Sequence, residues 1–351
     1  VNQIRPKIFL FENVRAFLTT ECTDLDNKNK PIREAIELNL GGKYNIHYQV
    51  LNFKDYGNPS SRTRTLVIGV RKDMQEITPL DIMPKPKTGG SLRTAIGDFP
   101  PLNKMGEISK NDIYHNFRPY GEHMVAWIEK IKEGQSAFNN EDHNRRPHQI
   151  KNGKIVCNEN KNGDKYSRCF WDKIAPCVHT RNDILASQST IHPKDNRVLS
   201  IRELMRIMSI PDSFNWVSKP LSELNKLSEE EKRNILKKEE INIRQSIGEA
   251  VPTIIFQSIA KNIASKLGNV GRNEIQIKKF INDNNLENIG TLRAFLAFNI
   301  HNFSYPELAK IVVLANAKRL KHAAYYTRQD ICFTIIKDLP DASKFEKISI
   351  L

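Results

Sequence analysis

Glu12-Asn13-Val14 closes a short apolar run, Lys7-Ile-Phe-Leu-Phe-Glu-Asn-Val14. Such a run suits a buried parallel strand, and its C-terminal tip is where α/β enzymes place reacting groups. Alone, the triplet favours the plainer reading of a glutamate facing solvent at a strand end. A second group is Asp55-Tyr-Gly-Asn-Pro-Ser-Ser-Arg-Thr-Arg64, followed by the strand Thr65-Leu-Val-Ile-Gly-Val-Arg71. Side chains alternate along a strand, so Arg62 and Arg64 are expected on one face. Two guanidinium forks on one face can hold a phosphate together with a base or sugar oxygen; a solvated sheet edge is the alternative.

Two further motifs position rather than react. In Arg197-Val-Leu-Ser-Ile-Arg-Glu-Leu-Met-Arg-Ile-Met-Ser-Ile-Pro-Asp-Ser-Phe214 a helix is expected over Ser200 to Met208. Ser200 caps it, Glu203 closes a capping box, Leu204, Ile207 and Met208 face inward, and Pro211-Asp212 ends it. Arg244-Gln-Ser-Ile-Gly-Glu-Ala-Val-Pro-Thr253 reads as a tight turn feeding a helix, whose first amides suit an anionic ligand. Cys157, Cys169, Cys177 and His179 lack the paired-ligand spacing of common zinc modules, so no metal is expected.

Around these motifs the chain reads as the trailing part of an α/β sheet. A helix over Ile32 to Leu40 stops at Gly41-Gly42, and strands lie near His47 to Phe53 and Thr65 to Arg71. Residues 72–196 change texture to Pro, Gly, Asn and Asp with scattered aromatics, a loop-rich insertion with short strands. The stretch from Ser228 to Glu240 reads as a solvated helix, and a last helix runs from Pro252 to Leu267 before a linker at Gly268 and Gly271. Beyond it the chain reads as mostly helical. The expected domains are residues 1–71, 72–196, 197–267 and 268–351.

A net charge of +14 fits a polyanionic partner, nucleic acid first. The charge is not concentrated in the insertion: residues 72–196 hold 19 Lys or Arg against 16 Asp or Glu. Neither a membrane span nor a signal peptide is legible, and five cysteines fit a reducing, cytoplasmic setting. The chain starts at Val1 rather than Met and stops at Leu351 inside a strand-like run, which reads as an excised or incomplete piece.

In order and spacing these four motifs resemble the DNA cytosine-5 methyltransferase family. Glu12 to Val14 is similar to its Glu-Asn-Val motif, and Asp55 to Arg64 to its Tyr-Gly-x-Pro-Gln-x-Arg-x-Arg motif. The capped helix is similar to Arg-x-Leu-Thr-x-Arg-Glu, and Gln245 to Pro252 to Gln-x-Gly-Asn-Ala-Val-Pro. Ser60 replaces the usual Gln, and Glu249 the usual Asn. The resemblance implies a partial Rossmann-like methyltransferase sheet, α/β, with a mixed-strand target-recognition insertion and a mostly helical C-terminal extension. It implies S-adenosylmethionine as cofactor near Gly248, Glu249 and Ala250, and double-stranded DNA as substrate. Arg168, in a segment similar to a late strand of the recognition domain, becomes a candidate DNA contact beside Arg62 and Arg64.

The implied chemistry flips the target cytosine from the duplex, adds a thiolate to C6, and uses a protonated Glu12 at cytosine N3. Family members carry the Gly-rich cofactor loop and the Pro-Cys-Gln nucleophile before Glu-Asn-Val. Eleven residues precede Glu12, so a missing N-terminal half is expected, in the same polypeptide or on a partner chain. Pro176-Cys177 is followed by Val178 and reads as structural. A cognate restriction endonuclease is the implied system partner. A non-catalytic DNA-binding subunit and a split methyltransferase remain as alternatives. Finally, Ala323-Ala-Tyr-Tyr-Thr-Arg328, a helix and the strand Lys347 to Leu351 resemble the entry to an N6-adenine DNA methyltransferase, with Tyr326 and Thr327 lining a second cofactor site. A plain helical interaction domain is the other reading of that tail.

Overall fold

The most apolar strand takes the centre of a three-stranded sheet in the computed structural model, which describes residues 1–160, 163–267, 274–299 and 305–316. Strand β1 covers Ile8–Val14, β2 (Glu21–Thr23) and β3 (Asn29–Pro31) form a small ribbon, and helix α1 covers Ile32–Leu40. Strands β4 (Tyr44–Asn52) and β5 (Thr63–Arg71) complete the sheet in the order β1-β5-β4. Thr65 to Val70 are all buried. Alternation sends Leu66, Ile68 and Val70 to one face with Leu51 and Phe53, and Val67 to the other with Phe9, Ile36 and Leu40. Gly69 sits opposite Phe9, and a Cβ there would meet the Phe9 ring at 2.0 Å, so only glycine fits.

Strand β1 is not hydrogen-bonded to a parallel neighbour as its sequence suggested. Both described ladders of the sheet are antiparallel. The reason lies in the link from Asn52 to Thr63, too short for a crossover of the dozen or more residues that parallel strands need. β5 therefore turns straight back and inserts between β1 and β4, which run in the same direction on either side of it.

Short helices α2 (Pro79–Ile82), α3 (Leu92–Ile96) and α4 (Val125–Ile128) follow, then strands β6 (His148–Lys151) and β7 (Lys154–Cys157). Helices α5 (Ile201–Ile207), α6 (Leu221–Leu224), α7 (Glu229–Glu249) and α8 (Thr253–Leu267) come next. The capping box of α5 forms as the sequence indicates, Ser200 accepting from the Glu203 amide and Glu203 from the Ser200 amide. The charged stretch is a longer helix than expected. Ser228 caps α7, and the helix continues through Gln245 to Glu249, so the expected tight turn is instead its last turn. Nor is α7 wholly solvated: Leu236, Ile243, Arg244 and Ile247 are buried. Ile255 and Ile259 of α8 close the sheet core.

Residues Val1–Phe214 and Leu221–Lys266 make one compact unit, and Asn215–Pro220 with the chain from Leu267 onward makes another. The second contains helices α9 (Glu274–Asp283), α10 (Ile289–Asn299) and α11 (Tyr305–Asn316), joined through Ile277, Ile281, Leu292, Phe295 and Ile311. Tyr326, Thr327 and the strand expected at Lys347 lie outside the described residues. Among the described residues no helix is long and apolar enough to cross a membrane. None of the described residues forms a cluster of three His, Cys, Asp or Glu able to hold a metal.

The loop-rich insertion has a core of its own around Trp127, Ile128, Tyr166, Leu185 and Ile191. Buried arginines bind its irregular backbone together. Arg168 donates to the carbonyls of Ile128 (2.8 Å), Ile131 (3.0 Å), His192 (2.8 Å) and Asp195 (2.9 Å) and to Asn196 Oδ1 (2.7 Å). Those five bonds use every N–H of the guanidinium. No N–H of Arg168 is left over for the DNA contact that the resemblance implied, and around it isolated bridges at Lys165, Ser167 and Arg168 stand in place of a full strand. Arg197, 1% exposed, joins Asp195 (2.9 Å) to Glu203 (2.8 Å) beneath the α5 cap.

Burial alone would raise the Glu203 carboxyl, but the Arg197 guanidinium outweighs it and holds the pKa at about 2. The folded value lies below the ordinary 4.5, so the stabilisation is complete above that value and is lost as pH falls toward 2. Glu203→Gln is expected to cost about 3 kcal/mol, because Arg197 is left partly uncompensated. It should also remove this acid-sensitive component, as checked by urea unfolding of both proteins across that pH window.

Candidate active site

Glu12 and Arg64 meet because of strand register. Glu12 stands opposite Leu66 in the β1–β5 ladder, and Arg64 is its diagonal neighbour on the same face. Arg64 Nε lies 3.2 Å from Glu12 Oε1, with the two side chains 18% and 17% exposed. Even so, Glu12 Oε1 is buried with no hydrogen-bond partner among the described residues. Burial pushes the Glu12 carboxyl above its ordinary range, and Arg64 and then Arg62 pull it only part of the way back. A carboxyl in this state holds its proton nearer to neutral pH and can donate it to a ring nitrogen.

Arg62 and Arg64 do not form the expected clamp. Arg62 precedes the first residue of β5 and is buried, with its fork turned inward. Its Nη1 donates to the Val178 carbonyl (3.2 Å) and its Nη2 to the carbonyls of Gly248 (3.1 Å) and Glu249 (3.4 Å). Cys177 Sγ lies 3.8 Å from the same Nη1. Arg62 thus ties the insertion to the end of α7 and acts on Glu12 only through its charge. Arg64 stays beside Glu12, its Nη1 held by the Thr63 carbonyl at 2.8 Å.

The loop before β5 is stitched to the same segment. Ser61 N–H donates to the Ala175 carbonyl, and Ala175 N–H to the Pro59 carbonyl, each at 2.9 Å. Ser60 is buried and accepts from Asn58 Nδ2 at 2.8 Å, so the residue that departs from the family pattern closes a local turn. Asn182 Nδ2 grips the His179 carbonyl at 2.6 Å. His179 entered the sequence reading only as a poor zinc ligand, yet its imidazole stands near Arg62 and Arg64. Burial, then Arg62, lower its pKa. No spacing rule brings a residue so far along the chain to this place.

Gly248 packs directly against the insertion backbone. A Cβ on it would come within 2.5 Å of the His179 carbonyl oxygen and 2.6 Å of Thr180 Cα. The missing side chain lets α7 touch the insertion. Glu249 accepts from Gln245 at 2.8 Å, and the Ala250 N–H ends the helix on Ser246.

A family model described as C-5 cytosine-specific DNA methylase matches residues 1–265. The chain belongs to that family. The Type II methyltransferase M1.HgaI of Avibacterium volantium is 31% identical over 272 residues, covering 75% of this chain and 67% of that protein. M1.HphI of Haemophilus parahaemolyticus is 29% identical over 267 residues, covering 75% of this chain and 58% of its own length. The solved structure of the S. pombe Dnmt2 methyltransferase matches 75% of this chain and 67% of that one at 13% identity, with a TM-score of 0.39. Methylases of the C-5 family use S-adenosylmethionine as methyl donor. At Gly248 the space a side chain would take is filled by the His179–Thr180 backbone. Gly248→Ala should therefore destabilise the fold by about 1–3 kcal/mol through overpacking, visible as a lower urea midpoint without any cofactor present.

Proposed function

We propose that this chain carries the target-base side of a DNA cytosine-5 methyltransferase of a restriction-modification system, acting on double-stranded DNA. The observation that carries this reading is the pairing of a half-buried Glu12 carboxyl, raised in pKa, with Arg64 at one end of the β1–β5 ladder. Cytosine becomes open to nucleophilic addition at C6 when N3 is protonated, because electron density that leaves the C5–C6 bond is then taken up by the ring. Glu12 supplies that proton and Arg64 keeps the resulting carboxylate in place. The thiolate that attacks C6 comes from a Pro-Cys-Gln segment in the same polypeptide or on a partner chain. S-adenosylmethionine supplies the methyl group.

The insertion 72–196 is the target-recognition region in this reading, and residues 1–71 with 197–267 are the catalytic scaffold. β1 and β4, running in one direction with β5 reversed between them, are read as part of a Rossmann-like sheet. Helices α9 to α11 begin a second unit, and an N6-adenine activity beyond them rests on the sequence around Tyr326 and Thr327 alone. In the intact enzyme, Glu12→Gln is expected to lower the methylation rate about tenfold or more while DNA affinity stays within about twofold. Turnover equal to the parent's would remove Glu12 from the mechanism.

A further inference from the structure

Within the insertion one element stands clear of every core. β6 and β7 pair around Asn152-Gly153, both at positive φ (51° and 72°), the pattern of a tight two-residue hairpin turn. All residues of the two strands are exposed except His148, which is half-buried. His148 anchors the base of the ribbon, its ring 5.3 Å from Trp127 and its Nδ1 2.7 Å from the Arg146 carbonyl. An isolated two-stranded ribbon gains little stability from itself, so its sequence answers to something other than folding.

The register sorts its side chains onto two faces. Ile150 and Ile155 are cross-strand partners on one face, 73% and 50% exposed; Gln149 with Val156 and Lys151 with Lys154 occupy the other. Like charges placed directly opposite each other weaken a hairpin. Here the repulsion sits beside the turn. Residues 143–158 contain Arg145, Arg146, Lys151 and Lys154 and no acidic residue. Arg145 is paired with Glu129 and Arg146 is bonded to the Asn140 carbonyl. Among the described residues, no ion pair engages Lys151 or Lys154.

We propose that the β6–β7 hairpin is a DNA-contacting arm, in which Lys151 and Lys154 straddle backbone phosphates while Ile150 and Ile155 touch sugar or thymine-methyl edges of the duplex. The inference rests on the reading of DNA as substrate and names the element of the insertion that meets it. A two-stranded ribbon fits the major groove, and a phosphate between the two lysines replaces their mutual repulsion with attraction. Arg168, buried nearby in sequence, holds the platform from which this arm projects.

The test is binding of the full chain to a mixed-sequence DNA duplex over roughly 50–200 mM salt. For K151A/K154A, affinity should fall about tenfold and the slope of log affinity against log salt by about 2, while the melting temperature holds or rises. K151R/K154R should keep both affinity and slope. Parent-like affinity and slope in K151A/K154A would overturn the hairpin assignment alone, as would loss of slope in K151R/K154R. A parent chain with no salt-dependent DNA binding would overturn the DNA reading itself.

Discussion

Guanidinium groups buried among backbone carbonyls hold this protein together. An insertion made of loops leaves many carbonyls outside any helix or ladder, and a buried carbonyl without a donor is costly. Arg62, Arg168, Arg197, Arg202 and Arg244 are all buried, and each donates to at least one main-chain oxygen. Arg244 illustrates the principle: it reaches the carbonyls of Leu199 and Asn182 from the middle of α7 while pairing with Glu240. Desolvation weighs against Arg62, Arg168 and Arg244, lowering their pKa values, and their hydrogen bonds offset that cost. Side chains that look from the sequence like surface charge for a polyanion are in part internal mortar.

That explains why local pattern does not place Arg62 and Arg168, whereas the proximity of Glu12 and Arg64 follows from strand register. The Glu12–Arg64 pair depends on strand alternation and a two-strand register, both local and periodic. Arg62 stands only two positions before Arg64, yet it lies just before the strand, where period-two reasoning no longer applies. Its partners, Val178 and Gly248, are 116 and 186 residues away, and nothing local announces them. Likewise the α5 cap is legible because Ser200 and Glu203 are three apart, whereas the Arg197 link beneath it joins groups only the fold assembles. The antiparallel insertion of β5 could have been anticipated from the short link after Asn52, and the β6–β7 hairpin from its Asn-Gly turn.

Glu12 and Arg64 also show why a pocket of this kind is set at a strand end. A strand fixes Cβ positions without depending on loop conformation, so the carboxyl is buried by geometry rather than by closure of a lid. One of its oxygens has no hydrogen-bond partner among the described residues; burial raises the carboxyl's pKa, and Arg64 and then Arg62 offset part of that rise.

The bonds from Arg62 to Val178, Gly248 and Glu249 all end on main-chain oxygens. Apart from the Cys177 thiol near Nη1, such a joint makes little demand on the side chains of the insertion it holds. The insertion can therefore diverge in sequence while these hydrogen bonds to the scaffold stay the same. A fold seamed in this way keeps its scaffold constant and leaves the insertion free to vary.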